Sequence, residues 1–327
     1  MANSNSIEQY RNAFVSYMER KTKVKEPKNL YDPINYILGL GGKRLRPVLT
    51  LMTSDLFGGN YSDAMDAALA VEMFHNFSLV HDDIMDDAPL RRGKTTVHEK
   101  WDINTGILSG DAMLINSYQF LESYPSDTFK KLTSLFSQTA IEVCEGQQYD
   151  VDFESRDDVT IQEYLKMIEY KTAVLVATAM KMGAIIAEAS EEDTRAIYDF
   201  GKNLGIAFQL QDDYLDAFGD PKTFGKQVGG DIIENKKTFL YLKSLELAEK
   251  GKKEGLIHLY SIKPEDSEIK VNTVKSIFVN SGAVEEAKTE IESYTQKAFH
   301  ALSTINMPEQ NKLMLKQFGE NLMRRTV

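Results

Sequence analysis

The sequence predicts an all-α protein, and three observations carry that prediction. Apolar residues recur at i, i+3, i+4 and i+7 through most of the chain, the spacing of an amphipathic helix. Strand-like alternation is scarce. Eight prolines and twenty glycines in 327 residues leave long stretches through which such helices can run. No repeat, low-complexity tract or linker divides the chain, so residues 1–327 read as a single domain.

Residues 7–20 read as the first helix and 30–38 as the second, which stops at Gly39. Pro47 opens a third that runs to residue 56, ahead of Gly58-Gly59-Asn60. Residues 63–85 form a fourth, broken by 89–93. Helices over 107–121 and 127–149 follow, with the acidic stretch 150–160 as a loop. Residues 161–188 read as one long or broken helix interrupted at Gly183, 191–218 as another, and 221–230 as a loop. Beyond Glu234 come amphipathic helices with loops at 251–255, 261–266, Gly282 and Pro308.

A composition of 42% apolar and 27% charged residues suits a globular protein with a sizeable core. The net charge of −11 argues against a nucleic-acid partner, whose phosphates it would repel. Cys144 is the only cysteine, which excludes an internal disulfide and a Cys-rich metal site. The start, MANSNSIEQYRN, lacks the basic and apolar regions of a secretory signal, and no run approaches a membrane span. A cytoplasmic protein is expected.

Chemistry concentrates in two acidic patches. Residues 81–93, HDDIMDDAPLRRG, put four carboxylates and two guanidiniums at the end of an apolar helical stretch. Asp82 and Asp86 share a helix face one turn apart, while Asp83 points roughly 100° away. Like charges at that spacing repel, so a cation belongs beside them. The donors are oxygens with no His or Cys partner in the set, which favours magnesium over zinc. The pattern returns 212 − 82 = 130 residues later in FQLQDDYLDAFGD, where Asp212, Asp213 and Asp216 repeat the spacing. Two such helices suggest patches that face each other across a cavity and share a metal cluster. Magnesium completes its shell with water and phosphate oxygens, so the expected ligand is a diphosphate.

Cations suited to that ligand lie nearby in sequence. Lys43, Arg44 and Arg46, between Gly41-Gly42 and Pro47, form either a phosphate cradle or a solvated basic helix start. Arg91 and Arg92 either fold back over a diphosphate or pair with Asp86 and Asp87. His75 and Ser78 share a stripe with Asp82 and Asp86, which suits His75 for a phosphate contact as well as for a structural role; His81, off the stripe, reads as structural. Lys171 and Thr172 sit in an apolar helix, where the charge needs a partner: an aspartate of either patch, or the diphosphate. Gln209 stands three residues before Asp212, and Lys226 and Lys236 flank the following loop. Phe74 and Phe77 lie about 12 and 7.5 Å down the helix axis from Asp82, where core packing or a growing apolar tail would use them.

The paired DDxxD motifs, RRG after the first, Lys171-Thr172 between them and GGKRLRP at 41–47 resemble the trans-isoprenyl diphosphate synthases. These are the polyprenyl synthetase family, which includes farnesyl and geranylgeranyl diphosphate synthases. The likeness runs over about residues 41–236, and Gly146-Gln147 with Asp150 fits the family's GQxxD stretch, Gly110-Asp111 its GD pair. The resemblance implies a single bundle of antiparallel helices around a deep central cavity, paired as a homodimer. It implies three magnesium ions bridging the diphosphate, with Asp82, Asp86 and Asp212 as main ligands and Asp83, Asp213 and Asp216 in support. Lys43, Arg46, His75 and Arg92 would then hold isopentenyl diphosphate. Arg91, Lys171, Thr172, Gln209, Lys226 and Lys236 would surround the allylic diphosphate, with Lys171, Arg91 and Gln209 acting in catalysis. Family members stop chain growth with bulky residues just before the first motif. Phe77, next to the small Ser78 and with Phe74 as a second floor, implies a product of fifteen to twenty carbons, geranylgeranyl ahead of farnesyl. Thr95, where the family often has Pro, and one extra residue between Lys226 and Asp231 touch only local loop geometry.

The implied reaction ionises an allylic diphosphate (dimethylallyl, geranyl or farnesyl), adds the double bond of isopentenyl diphosphate, and loses a proton to the released diphosphate. A class I terpene cyclase is the second reading, although such enzymes have an Asn/Ser/Glu-type second metal site and no use for GGKRLRP. A catalytically silent partner subunit is the third, and the intact aspartates weigh against it. An EF-hand is excluded, since neither patch has its alternate-residue spacing and central Gly.

Overall fold

The structure, a computed structural model, describes residues 6–23, 25–220, 229–262, 264 and 266–324. Regular structure among them is helical apart from one two-stranded antiparallel hairpin, β1 (Leu90–Arg91) against β2 (Lys94–Thr95). The chain falls into two compact units, Met1–Ser137 with Thr178–Arg195, and Gln138–Ala177 with Ala196–Val327. No helix of the described residues is long and apolar enough to cross a membrane.

In the first unit, α1 (Ile7–Lys21), α2 (Lys28–Gly39) and α3 (Leu45–Leu56) lead to α4 (Met65–Met85). The hairpin, α5 (Val97–Lys100) and α6 (Ile103–Gln119) follow. Helix α4 is the axis of this unit: Ala67, Ala68, Leu69, Ala70 and Val71 are all fully buried, because small side chains let α3 and α6 close on it from several directions. On α6, Ile103, Leu108 and Ile115 are left 55–60% exposed.

Helices α7 (Ser126–Ser155), α9 (Val174–Ile186) and α10 (Glu191–Phe218) each run from one unit into the other. The second unit adds α8 (Ile161–Ile168), started by a Thr160–Glu163 capping box, and α11 (Gly230–Ile233). It is completed by α12 (Phe239–Leu247), α13 (Lys250–Leu259), α14 (Glu268–Ser281), α15 (Ala283–Thr304) and α16 (Glu309–Met323). Its core gathers Tyr164, Ile206, Leu240, Leu256, Val274 and Phe278.

The structure corrects three local expectations. Helix α7 continues through Ser155, because the acidic residues of 150–155 line an exposed face while Phe153 is buried; their polarity marked a solvated face and not a loop. Gly183 does not interrupt α9. It lies where a Cβ would stand 2.3 Å from the Thr50 carbonyl oxygen, so the glycine lets α9 touch α3. The break falls instead at a π-helical turn, Glu169–Ala173. Gly251 and Gly255 lie inside α13, where nothing stands within 4 Å of the positions a Cβ would take and buried Leu256 anchors the helix. Most of the expected loop at 221–230, including Lys226, lies outside the described residues.

Candidate functional site

In the first unit α4 ends at Met85, which puts Asp82 in its last turn and Asp86 just beyond, where the Asp86 N–H donates to the Asp82 carbonyl oxygen at 2.9 Å. A helix C-terminus carries partial negative charge, so two carboxylates here are unfavourable unless a cation joins them. Asp83 turns the opposite way. It is fully buried, and Arg91 grips both its carboxylate oxygens through contacts of 2.6–2.8 Å. Arg91 thus pairs with Asp83 and with neither Asp86 nor Asp87.

The hairpin separates its two arginines. Arg92 and Gly93 form its two-residue turn, both with positive φ (52° and 72°), the geometry that matches strand twist. Arg92 donates to the Gly41 carbonyl, and its guanidinium lies where a Gly42 Cβ would be 2.8 Å away, so the glycine makes room for it. Arg44 is no part of an open cradle. It is buried, paired with Glu72 and bonded to the Leu38 carbonyl.

Arg46 meets His75 at 3.1 Å (Nη1 to Nε2). Loss of water contact, then the charges of Arg46, Arg92, Arg91 and Arg44, hold the His75 pKa well below its ordinary value. His75 is therefore neutral, and its Nε2 accepts the Arg46 proton. Burial likewise lowers Arg46 and Arg92. Glu72 and Asp83 neutralise Arg44 and Arg91, and Arg92 lies close enough to Arg46 for their charges to repel, a positive region suited to an anion.

Below Asp82, Phe77 and Phe74 begin a series of tilted and edge-to-face rings: Phe74 is 5.3 Å from Phe77 and from Phe136 (centroids), and Phe136 is 5.1 Å from Tyr118. Phe77 also meets His81 at 4.8 Å, and His81 fits because a Cβ on Gly110 would stand 2.2 Å from its Nε2.

In the second unit the π-helical turn presents Lys171 and Thr172. Single π turns are frequent at functional sites. Gly146 of α7 permits the close approach, since a Cβ there would lie 2.3 Å from the Lys171 nitrogen. Lys171 pairs with Asp150 at 2.5 Å, an aspartate of neither patch. The Thr172 hydroxyl donates to Gln209 Oε1 at 3.3 Å, and Gln209 Nε2 donates to Asp213 Oδ1 at 2.8 Å. The Tyr164 hydroxyl donates to the other oxygen of Asp213 at 2.6 Å. Asp213 is thus a held, buried group, the counterpart of Asp83, while Asp212 and Asp216 are half-buried. Lys236 pairs with Glu234 at 3.4 Å near the surface.

Asp231, missed in the sequence, opens the second patch further. Its N–H donates to Asp216 Oδ2 at 3.0 Å, while Gly229 at φ 86° donates to the Asp216 carbonyl at 2.6 Å. Burial, then neighbouring Asp213 and Asp216, pushes the Asp231 pKa up to about 8. Burial foremost, with Asp212 and Asp216 adding to it, pushes Asp213 up to about 6 against its two hydrogen bonds. Both shifts are upward, so the folded protein holds these protons more tightly than the unfolded chain. The stability they contribute is complete below the ordinary carboxylate range and is lost as pH rises through these values. Metal-free protein is therefore expected to melt at falling temperature as pH rises from about 5 to about 9, and magnesium with diphosphate should offset the loss. A midpoint that holds constant without metal would contradict this charge crowding.

The polyprenyl synthetase family model matches residues 27–277. A geranylgeranyl pyrophosphate synthase of known crystal structure is 54% identical, covers 98% of this chain and 99% of its own, and superimposes with a TM-score of 0.94. The geranylgeranyl diphosphate synthase of Sulfolobus acidocaldarius is 39% identical over 85% of this chain and 84% of its own. The geranylfarnesyl diphosphate synthase of Natronomonas pharaonis is 38% identical over 75% of this chain and 76% of its own. With its family model spanning both units and both acidic patches, this all-α chain belongs to the polyprenyl synthetase family.

Proposed function

We propose that the chain is a short-chain trans-isoprenyl diphosphate synthase that condenses isopentenyl diphosphate head-to-tail with an allylic diphosphate, and that its two units work as one catalytic domain. The observation that carries this reading is the charge pattern: carboxylates at the ends of two helices, one of them beside a cluster of arginines around a neutral histidine. The donor sets are oxygens only and fit a hard divalent cation. Asp82, Asp86, Asp212 and Asp216 would hold three magnesium ions, which when bound supply electrostatic stabilisation of the departing diphosphate.

The remaining work falls to side chains. Lys43, Arg46, His75 and Arg92 orient isopentenyl diphosphate, with His75 fixing the Arg46 fork. Lys171, Thr172 and Gln209 set the allylic diphosphate, with Lys226 and Lys236 as further cations for it, and Arg91 adds positive charge while holding Asp83. Asp83 and Asp213 act as anchors of these groups more than as direct ligands. Apolar walls exclude water from the allylic cation. The lost proton goes to the released diphosphate, because His75 is occupied by Arg46. The purified protein, given labelled isopentenyl diphosphate with dimethylallyl, geranyl or farnesyl diphosphate, is expected to yield mainly the twenty-carbon product. Absence of any product would favour a silent subunit.

Relatives named for twenty- and twenty-five-carbon products share this chain's sequence at similar identity, so length must rest on local side chains. We assign the floor to Phe77, backed by Phe74 and Phe136. Phe77→Ala is expected to shift the product distribution to chains at least one isoprene unit longer. An unchanged distribution would reject Phe77 as the stop.

We further propose a homodimer in the cytoplasm. The exposed Leu108 and Ile115, which share one face of α6, support it, since exposed apolar residues side by side are often covered by a partner. Light scattering is expected to give twice the 37.0 kDa chain mass; a monomer at micromolar concentration would refute it.

A further inference from the structure

We propose that Asp87, His98 and Glu99 form a second metal site, selective for a first-row divalent transition ion such as zinc and separate from the DDxxD carboxylates. Asp87 follows the end of α4 with a φ of 49°, and His98 and Glu99 lie on α5, just after the hairpin. One ligand atom from each lies within 4.8 Å of the other two, and His98 Nε2 is 3.8 Å from Glu99 Oε1.

The histidine itself points to a ligand. It is 7% exposed, and neither ring nitrogen has a hydrogen-bond partner. A neutral imidazole carries one donor and one acceptor, and leaving both unmatched in the interior is unfavourable. The two carboxylates are exposed, and among the described residues no lysine or arginine forms an ion pair with either. Lys100, the nearest cation in sequence, lies instead over the rings of Tyr36 (3.7 Å) and Trp101 (4.8 Å). Two unneutralised carboxylates facing an unpartnered buried imidazole are a donor set that zinc accepts and magnesium does not favour. Tetrahedral zinc sets its ligands about 3.3 Å apart. Small rotations of the exposed Asp87 and Glu99 side chains bring the oxygens that close, and the fourth position stays open to water.

Such an ion would join the residue before the hairpin to those after it, and so clamp the base of the element that carries Arg91 and Arg92. This assignment rests on geometry within the first unit alone and does not depend on the proposed prenyl transfer.

The test is equilibrium dialysis of the metal-stripped full chain against zinc, without magnesium or diphosphate, followed by zinc X-ray absorption. One zinc per chain with an imidazole nitrogen in its shell is expected. Binding should weaken at least tenfold in His98→Gln and survive in Asp82→Asn. If His98→Gln does not fold, judged by its circular dichroism, Asp87→Asn and Glu99→Gln replace it, and each should weaken binding severalfold. Zinc that binds equally to the His98 and wild-type proteins, that depends on Asp82, or that shows only oxygen neighbours would overturn the assignment, as would no binding at all.

Discussion

Asp82→Ala and Asp212→Ala are each expected to lower kcat by on the order of 10²–10³, the loss seen when one preorganised electrostatic group is removed from a charge-developing site. Asp82 stands in the last turn of α4 with Asp86 just beyond, so either carboxylate alone is a poor seat for a divalent ion. Asp212 occupies the matching place in the second patch, next to an Asp213 that Tyr164 and Gln209 already hold. Folding should be little affected, since both residues are half-exposed. Steady-state kinetics at saturating magnesium is the check. The double variant should lose little more than either single one, because the residues act as a unit. Losses that multiply would mean that the patches serve two separate sites.

Arg44→Ala is expected to reduce the unfolding free energy by about 3–5 kcal/mol, the range for leaving one partner of a buried ion pair alone. The Arg44 and Glu72 side chains are 4% and 3% exposed. With the arginine gone, the Glu72 carboxylate keeps, among the described residues, only the Asn76 amide at 3.1 Å. Urea unfolding gives the number, and Arg44→Met combined with Glu72→Met should regain most of it, since an apolar pair leaves no stranded charge. Lys43→Ala, one residue away and exposed, should leave stability within about 0.5 kcal/mol and raise the KM for isopentenyl diphosphate. An Arg44→Ala protein as stable as wild type would contradict the buried pairing.

Neighbouring cations with opposite fates show what the sequence could and could not disclose. Periodicity is a local signal, so α10 was expected over 191–218 and found there, and the DDxxD spacing placed Asp82 and Asp86 together at one helix end. Partner choice is not local. Nothing in GGKRLRP tells that Arg44 turns inward to Glu72 while Arg46 turns to His75, or that Lys171 pairs with Asp150. The π-helical turn escaped notice because its sequence, EYKTA, is ordinary helix; Gly146, packed against its backbone, was the one hint. Phe136 and Tyr118 join the ring series from other helices, and no argument along α4 reaches them. Asp231 stood in plain view as GGD, but only the fold sets its N–H on Asp216.

The most direct measurement is a crystal structure with manganese and a thiodiphosphate analogue of the allylic substrate, with the ions located by anomalous scattering. Manganese is expected beside Asp82 and Asp86 and beside Asp212, all touching one diphosphate. Ions at a single patch, or a separate diphosphate on each, would contradict it.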